Sequence, residues 1–506
     1  TRGNFSRWSV GSVLMIDDEL RRISKGEVLF DDWSRTIYSV DASNISVRPE
    51  LILKPIDVEE VRNICKLCSA KNIAITARGA GTGLLGQSLS SGIVLDFTVK
   101  MNRIVETDDD FVVVQPGLVK AKLDKELGKK SKIFPSDPAS SNFCTIGGMI
   151  ANNASGPHSL SYGSTIDHIQ EISVVYADGT SSSVGHNLEL DEKISKMLSL
   201  VAPRTALIRR KYPKVSKNSC GYRLDAVLSD RGFFPQKVFA ASEGTLGIIT
   251  SAKLKIFDMP LYRSLLVVGF QDLESLMKVV PAILKFFPSA LELLDSSVLW
   301  SRPKCFGIAG CSLYIEFSGD NLSDIEMKLL RCQSKLEGKY EVLQTAFDPI
   351  SISKIWEARK NALNNIMKLT VGSRKPVGLI EDTVVNPTQL FEYCIFLKKL
   401  YSQYNLDYTM YGHVGNGNLH TRPLVDIDER QEVNLLEELA RKVFKRVIAY
   451  GGTITGEHGD GLVRSKYIPQ LYGSQVYSLF VKLKRIFDPQ LIMNPGKKVL
   501  FSDARP

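Results

Sequence analysis

Residues 78–87 read Arg-Gly-Ala-Gly-Thr-Gly-Leu-Leu-Gly-Gln, in which Gly81, Gly83 and Gly86 fall at a GxGxxG spacing. That spacing marks a nicotinamide-type turn only when a strand precedes it and a long helix follows at once, its N-terminus facing the pyrophosphate. Here the strand-like run IAIT at 73–76 leads in, but only residues 87–91 separate Gly86 from the next run, GIVLDF at 92–97. The helical segment lies in front instead, at 57–71, with Asp57 as its N-cap and acids in its first turn. The Rossmann reading therefore fails. The glycines keep their chemical sense: they permit positive φ and close approach to a ligand, and their N–H groups can form a nest for a diphosphate. A second loop rich in Gly, Asn and Ser, TIGGMIANNASG at 145–156, points with the first to a large, extended, phosphorylated ligand.

Further strand-like runs follow at 111–117, 172–179 and 246–250. From about residue 259 the texture changes. The run LLVVGF at 265–270 precedes a helix near 272–287, then LYIEF at 313–317, a helix near 323–337 and EVL at 341–343. This is the split βαβ rhythm of an α+β, ferredoxin-like domain. A long polar helix over roughly 426–450 leads to Gly451-Gly452 and a short C-terminal segment. At 506 residues the chain is too long for one core. The expected division is 1–258, 259–450 and 451–506.

The net charge of +9 comes from 64 basic and 55 acidic residues spread along the chain. The densest basic stretch, at 120–132, has acids mixed in and no interleaved aromatics, so nucleic-acid binding is not expected. A basic surface suits anionic substrates or peripheral contact with an anionic membrane. No run approaches the ~20 apolar residues needed to span a bilayer. Cys65 and Cys68 form a CxxC, but Val58, Val61, Cys65 and Cys68 recur at helical spacing and read as a buried stripe. Eight cysteines without a framework spacing suggest free thiols and a cytoplasmic setting.

Three of the six histidines, His413, His420 and His458, fall within 46 residues. Asn416-Gly417 is a favoured two-residue hairpin turn. With that turn, His413 pairs with His420, and both project from one face together with Asn418, while Val414 and Leu419 point into a core. Both imidazoles could then reach one metal ion, and Glu457, in Thr455-Gly-Glu457-His458-Gly-Asp-Gly461, offers a third ligand.

The order and spacing of Arg78-Gly-Ala-Gly-Thr, Pro135-Ser-Asp-Pro138, TIGGMIANNASG and Ser242-Glu-Gly-Thr-Leu-Gly247 resemble the vanillyl-alcohol-oxidase (PCMH) type of FAD-binding domain. Within it they match the D-lactate, glycolate and D-2-hydroxyglutarate dehydrogenase branch, from about residue 38 to 500. The resemblance implies a PCMH-type FAD-binding domain over 1–258, a ferredoxin-like cap over 259–450 and a closing segment over 451–506 that returns to the flavin domain. It implies that Arg78, Gly79, Ala80, Gly81, Thr82, Gly83, Gly86 and Gln87 hold the FAD pyrophosphate. Pro135, Asp137, Ser141, Thr145, Gly147, Gly148, Asn152 and Ser155 then run along the flavin, with Glu243, Gly247, Ile249 and, in the closing Asn494-Pro-Gly-Lys497, Asn494. The first loop has no histidine, so non-covalent FAD is expected.

By the same resemblance His413, His420 and Glu457 bind a divalent metal, zinc favoured over manganese or iron, and His458 is the general base. Hydride passes from the substrate Cα to flavin N5 while the metal stabilises the developing alkoxide. Trp356-Glu-Ala-Arg359 resembles the family's WxxR helix, so Arg359 is the candidate clamp for the substrate carboxylate, with Lys375 second and Arg374 beside it; Asn418 completes the catalytic set. Two departures stand out: Asn416 where many relatives have Asp, and Ala241 where many have Gly. The implied reaction oxidises a small D-2-hydroxy acid, D-lactate or glycolate favoured, alone or as the flavin subunit of a complex, with oligomeric state open. Electrons leave through a separate quinone, cytochrome, electron-transfer flavoprotein or iron–sulfur subunit. An alkylglycerone-phosphate-synthase-like transferase is the alternative from another class; the stretch GEHGDG lacks that enzyme's run of adjacent histidines.

Overall fold

The computed structural model describes residues 17–295, 310–336, 340–366 and 371–501. The glycine loop belongs to a small four-stranded sheet. Its elements are β1 (Glu27–Leu29), β2 (Leu51–Lys54), α1 (Val58–Lys71), β3 (Ile75–Arg78) and β4 (Ile93–Asp96), in the order β1-β2-β4-β3. Asp57 caps α1 by accepting from Glu60 N, and Asn72 closes it in the left-handed region. Its buried face is Val61, Ile64, Cys65 and Cys68; Val58, expected in that stripe, is exposed because it lies at the first residue, off the packed face. β2, β3 and β4 are parallel, and no helix intervenes between residues 78 and 93.

The next five strands form an antiparallel sheet: β5 (Ile104–Thr107), β6 (Phe111–Val114), β7 (Ile169–Val175), β8 (Ser181–Gly185) and β9 (Ile248–Lys255), ordered β5-β6-β9-β7-β8. Between β6 and β7 the second glycine loop becomes a short helix, α2 (Ile146–Asn152). Thr145 caps it by accepting from Gly148 N, and Ile146, Met149 and Ile150 bury its apolar face. Gly147 is required there, since a Cβ would lie 2.7 Å from that of Pro116.

The third sheet has eight strands. β10 (Tyr262–Phe270), α3 (Leu273–Leu284), β11 (Ala290–Asp295), β12 (Cys311–Gly319), α4 (Leu322–Gln333) and β13 (Tyr340–Ala346) form a βαββαβ unit of strand order β13-β10-β12-β11, the ferredoxin-like arrangement. After α5 (Pro349–Ile366) come β14 (Lys375–Pro376), β15 (Thr383–Val384), α6 (Leu390–Gln403), β16 (Tyr408–His413) and β17 (Asn418–Val425). β16 adds to β11, β17 to β16, and β14 and β15 both pair with β17. One face of this sheet packs Leu265, Val267, Leu294, Tyr314 and Tyr411 against Ile352 and Ile355 of α5.

α7 (Arg430–Ala449) is the long polar helix expected near 426–450. What reads as a short C-terminal segment contains another 20-residue helix, α8 (Ile468–Phe487), whose helical spacing is interrupted at Gly473 (φ 73°). Its aromatic face packs on the first half of the chain: Tyr472 tilted on Tyr212 and Phe480 edge to face with Tyr222. Beyond it the chain returns to β3, where Ile75 N donates to Ile492 O and Asn494 N to Ile75 O. Ile492 and Met493 are thereby buried in the core of the first sheet. No helix among the described residues is long and apolar enough to cross a membrane.

Candidate active site

Where the three sheets meet lies a cavity of about 970 Å³, at the upper end of ligand-binding pockets. At one end are the first glycine loop, residues 137–155 and the 243–249 segment; at the other are α5, the β16–β17 hairpin and the 457–458 turn. Of the positions expected around FAD, Arg78, Gly79, Ala80, Gly81, Thr82, Gly83, Gln87, Asp137, Ser141, Thr145, Gly147, Gly148, Asn152, Ser155, Glu243, Gly247 and Ile249 line it. Gly86, Pro135 and Asn494 do not. Gly86 supplies a positive-φ bend (φ 76°) packed on Ile45 and Leu462, and Pro135 is buried behind the wall. Asn494 is a clip: its Nδ2 donates to the carbonyls of Gln87 (2.9 Å) and Glu243 (2.6 Å), while its Oδ1 accepts from Thr76 and Lys497.

The donors fit a diphosphate. Among the described residues, none of the N–H groups of residues 79–84 finds an acceptor in the protein, and all six residues line the cavity. These residues are partly exposed, so water or an anion can meet the donors, and successive N–H groups of this kind form an anion-binding nest. The close packing is built for it, since a Cβ on Gly79 would lie 2.2 Å from Thr145 Oγ1.

At the other end the hairpin differs in register from the sequence expectation. His413 pairs with Asn418 and Tyr411 with His420, around a four-residue turn in which only Gly417 takes positive φ (73°). The two-residue turn would require positive φ at Asn416 as well. The shift is even, so the face is unchanged: His413 and His420 still share it, their rings edge to face at 5.3 Å. Leu419 and Val414 enter the core as expected.

The Nε2 atoms of three imidazoles converge on one oxygen, Glu457 Oε1, at 2.8 Å from His413, 3.3 Å from His420 and 3.9 Å from His458. Each Nδ1 faces a carboxylate behind it. His413 bonds Glu292 at 2.8 Å, and Glu381 serves both His420 (3.0 Å) and His458 (2.8 Å). This backing fixes the tautomer and leaves each Nε2 free to act as a ligand or a base. Glu457 Oε2 accepts from Ser155 Oγ and from buried Lys217 at 2.8 Å. Burial opposes ionisation of Glu457, but the charges of His413 and Lys217 outweigh it and hold the carboxyl well below its usual range. Burial likewise works against charging His413 and His420, yet the surrounding carboxylates raise both. Carboxylates gathered around imidazole nitrogens suit a divalent cation.

Asp382, His420, Glu457 and His458 offer ligand atoms within 4.8 Å of one another. The Asp382 carboxylate is already occupied by the N–H groups of Gly456, Glu457 and His458 and by Asn418 Nδ2, with Arg464 at 3.5 Å. Of that group His420, Glu457 and His458 are left as donors; His413, one of the expected ligands, stands outside it, with its Nε2 2.8 Å from Glu457 Oε1.

Arg359 lines the cavity, its Nη2 on Glu292 and its buried Nε without a partner among the described residues. Lys375 does not reach the site: it is exposed on β14, opposite Val425, and Arg374 is tied to Glu432. Asn418 is fully buried but lies behind the wall, its amide donated to Asp382 and to Thr383 O. A further arginine at this end of the cavity is Arg422, which sequence reasoning missed although it lies two residues beyond His420 on the same strand face. Glu292, Glu381, Asp382, Lys217 and Arg464 were missed too. Their one sequence signal is the presence of charged residues inside otherwise apolar runs such as LELLD at 291–295.

Two family models match the chain: "FAD binding domain" over residues 49–185 and "FAD linked oxidases, C-terminal domain" over residues 259–498. Residues 49–185 thus carry an FAD-binding domain and residues 259–498 the C-terminal domain of FAD-linked oxidases. It is similar to the glycolate oxidase subunit GlcD of Bacillus subtilis, 29% identical over 97% of each chain. It is similar to the D-lactate dehydrogenase of Anaerostipes hadrus, 28% identical over 95% of this chain and 96% of that one. The D-2-hydroxyglutarate dehydrogenase of Haemophilus influenzae is 30% identical over 95% of this chain. The chain spans about half (51%) of that relative's length. Among solved structures, 4-ethylphenol oxidase from Gulosibacter chungangensis aligns at a TM-score of 0.72 and 14% identity over 98% of both chains. An alkyldihydroxyacetonephosphate synthase aligns at 0.66 and 17%, covering 98% of this chain and 86% of that one. At such identities the likeness speaks for the fold alone.

Proposed function

We propose that this chain oxidises a D-2-hydroxy acid to the 2-oxo acid, with non-covalent FAD in the glycine-loop end of the cavity and a divalent ion on His413, His420 and Glu457. The observation that carries the reading is the convergence of three Nε2 atoms at the far end of a cavity whose near end is an array of unpaired N–H donors. The names of the relatives point to the same class of substrate. When bound, FAD supplies a hydride acceptor and the ion supplies Lewis acidity toward the substrate hydroxyl.

The chain's own part is positional and acid–base. His458, its Nδ1 held by Glu381, takes the hydroxyl proton at Nε2, and Glu381 stabilises the imidazolium that results. Glu381 is itself pinned by Arg464 at 3.0 Å, so the base is oriented before substrate arrives. Arg359, which lines the cavity with its Nη2 fixed on Glu292, would hold the substrate carboxylate. Electrons then pass to a separate acceptor: a quinone, a cytochrome, an electron-transfer flavoprotein or an iron–sulfur subunit.

Anaerobic bleaching of the flavin by D-lactate, glycolate and D-2-hydroxyglutarate, with L-isomers as controls, tests the reading. One or more of the D-acids or glycolate is expected to bleach it, a chelator to abolish the reaction, and His458→Ala to slow it by about 10²–10⁴ with the yellow colour retained. A colourless protein that FAD cannot restore sinks the flavin assignment. A yellow protein that none of the acids reduces sinks the substrate class.

A further inference from the structure

We propose that Arg422 binds a second carboxylate, so that the preferred substrate is a 2-hydroxy dicarboxylate of four or five carbons and not the lactate or glycolate that the sequence favours. This rests on the function proposed above. Arg422 is 2% exposed yet lines the cavity, and its Nε has no partner among the described residues. Side chains alternate along β17, so Arg422 projects from the same face as His420, one two-residue step (about 6.6 Å) farther along the strand. Tyr411, directly opposite His420, closes that side of the pocket.

The plain alternative is that Arg422 only balances Glu381. That place is already filled. Arg464 Nη2 bonds Glu381 Oε1 at 3.0 Å and its backbone oxygen at 2.5 Å, whereas Arg422 Nη2 stands off at 3.6 Å from Oε2. Two buried guanidinium groups therefore line the cavity. Arg359, near His413 through Glu292, is held by that wall carboxylate, and Arg422, beyond His420, is held by Tyr411 and stands off its carboxylate; the Nε of each has no partner among the described residues. A monocarboxylate satisfies one of them. A dicarboxylate whose hydroxyl lies at the imidazoles satisfies both, and a guanidinium meets a carboxylate in matched, directional hydrogen bonds.

The test compares kcat/KM for D-2-hydroxyglutarate, D-malate and D-lactate in the wild type, Arg422→Leu and Arg422→Lys, alongside calorimetric titration with glutarate and butyrate, which have no hydroxyl to oxidise. The wild type is expected to prefer a dicarboxylate. Arg422→Leu should reduce the dicarboxylate-to-lactate ratio by about 100-fold and weaken glutarate more than butyrate, and Arg422→Lys should recover part of both. A wild type that uses D-lactate as well as either dicarboxylate overturns the proposal. So does an equal loss on all substrates, which would mark a charge-balancing role. If no hydroxy acid reduces the flavin, the functional reading falls on its own, and the glutarate titration decides Arg422: equal binding by the wild type and Arg422→Leu overturns it.

Discussion

Each imidazole of the cluster turns Nδ1 to a carboxylate and Nε2 to Glu457, whereas buried His168 has no such support. Neither ring nitrogen of His168 makes a hydrogen bond of normal geometry among the described residues, and its ring lies edge-on to Phe134 and Phe257. Burial pushes its pKa down to about 4. The sign follows from linkage. Between about 6.5 and 4 the unfolded chain binds the proton and the folded one does not, so stability is lost as pH falls through that window, by as much as about 3 kcal/mol. His168→Phe, packed in the same aromatic slot, is expected to flatten the urea midpoint against pH between 6.5 and 4. An unchanged slope would refute the assignment. The contrast also shows what could be read from residues alone. His413, His420 and the Glu457-His458 pair stand within one short stretch, so their spacing announces a joint site. Glu292 and Glu381 come from other strands and loops, and only the folded sheet places them behind the rings.

Among the elements, the β16–β17 hairpin decides whether the imidazoles meet. Its strands and its buried and cavity faces were legible from alternation, because a period of two survives any even register shift. Its turn was not, since the contacts that select the longer form come from elsewhere. Asn416 Nδ2 donates to Ser216 Oγ, and Ser159 Oγ donates to Asn416 Oδ1, which draws Asn416 away from the positive φ of the shorter turn. Gly417 then bears the whole reversal, and a Cβ there would lie 1.8 Å from Val385 O. Gly417→Ala is accordingly expected to cost at least about 1–3 kcal/mol through backbone strain and to lower bound metal, read by thermal melting and elemental analysis. Full metal content with an unchanged melt would show that the turn is not the constraint. α8 went unread for a related reason: its helical spacing breaks at Gly473, and its aromatic face has meaning only against Tyr212 and Tyr222.

Across the whole molecule, Glu316 joins the halves. Fully buried on β12, it accepts from His158, Arg263 and the Trp356 indole, while the other side of His158 bonds Asp137. Burial disfavours the charges, but the two carboxylates hold His158 protonated, raising it to about 10, and Glu316 falls to about 2. Removing one member of a buried ionic set leaves the others uncompensated, so Glu316→Gln is expected to lower unfolding stability by about 3–5 kcal/mol with little dependence on salt. A loss below about 1 kcal/mol, or one erased by salt, would mean the cluster is solvated. The α+β pattern and the change of texture near residue 259 were visible in the sequence; this junction was not, because Asp137 and His158 lie in loops and Glu316 on a strand far along the chain, and the three share no local pattern.

The clip formed by Asn494 has a consequence for how the protein is made. Gln87 of the glycine loop is synthesised 407 residues before Asn494, yet its backbone carbonyl is held by that residue, and β3 is completed by pairing with residues 492–494. The nest therefore cannot assume its final shape until the ribosome has passed that point. Loading of FAD is a late event in biogenesis, and a truncated translation product would leave the ribosome with its phosphate loop unbraced, unable to retain the cofactor and open to proteolysis.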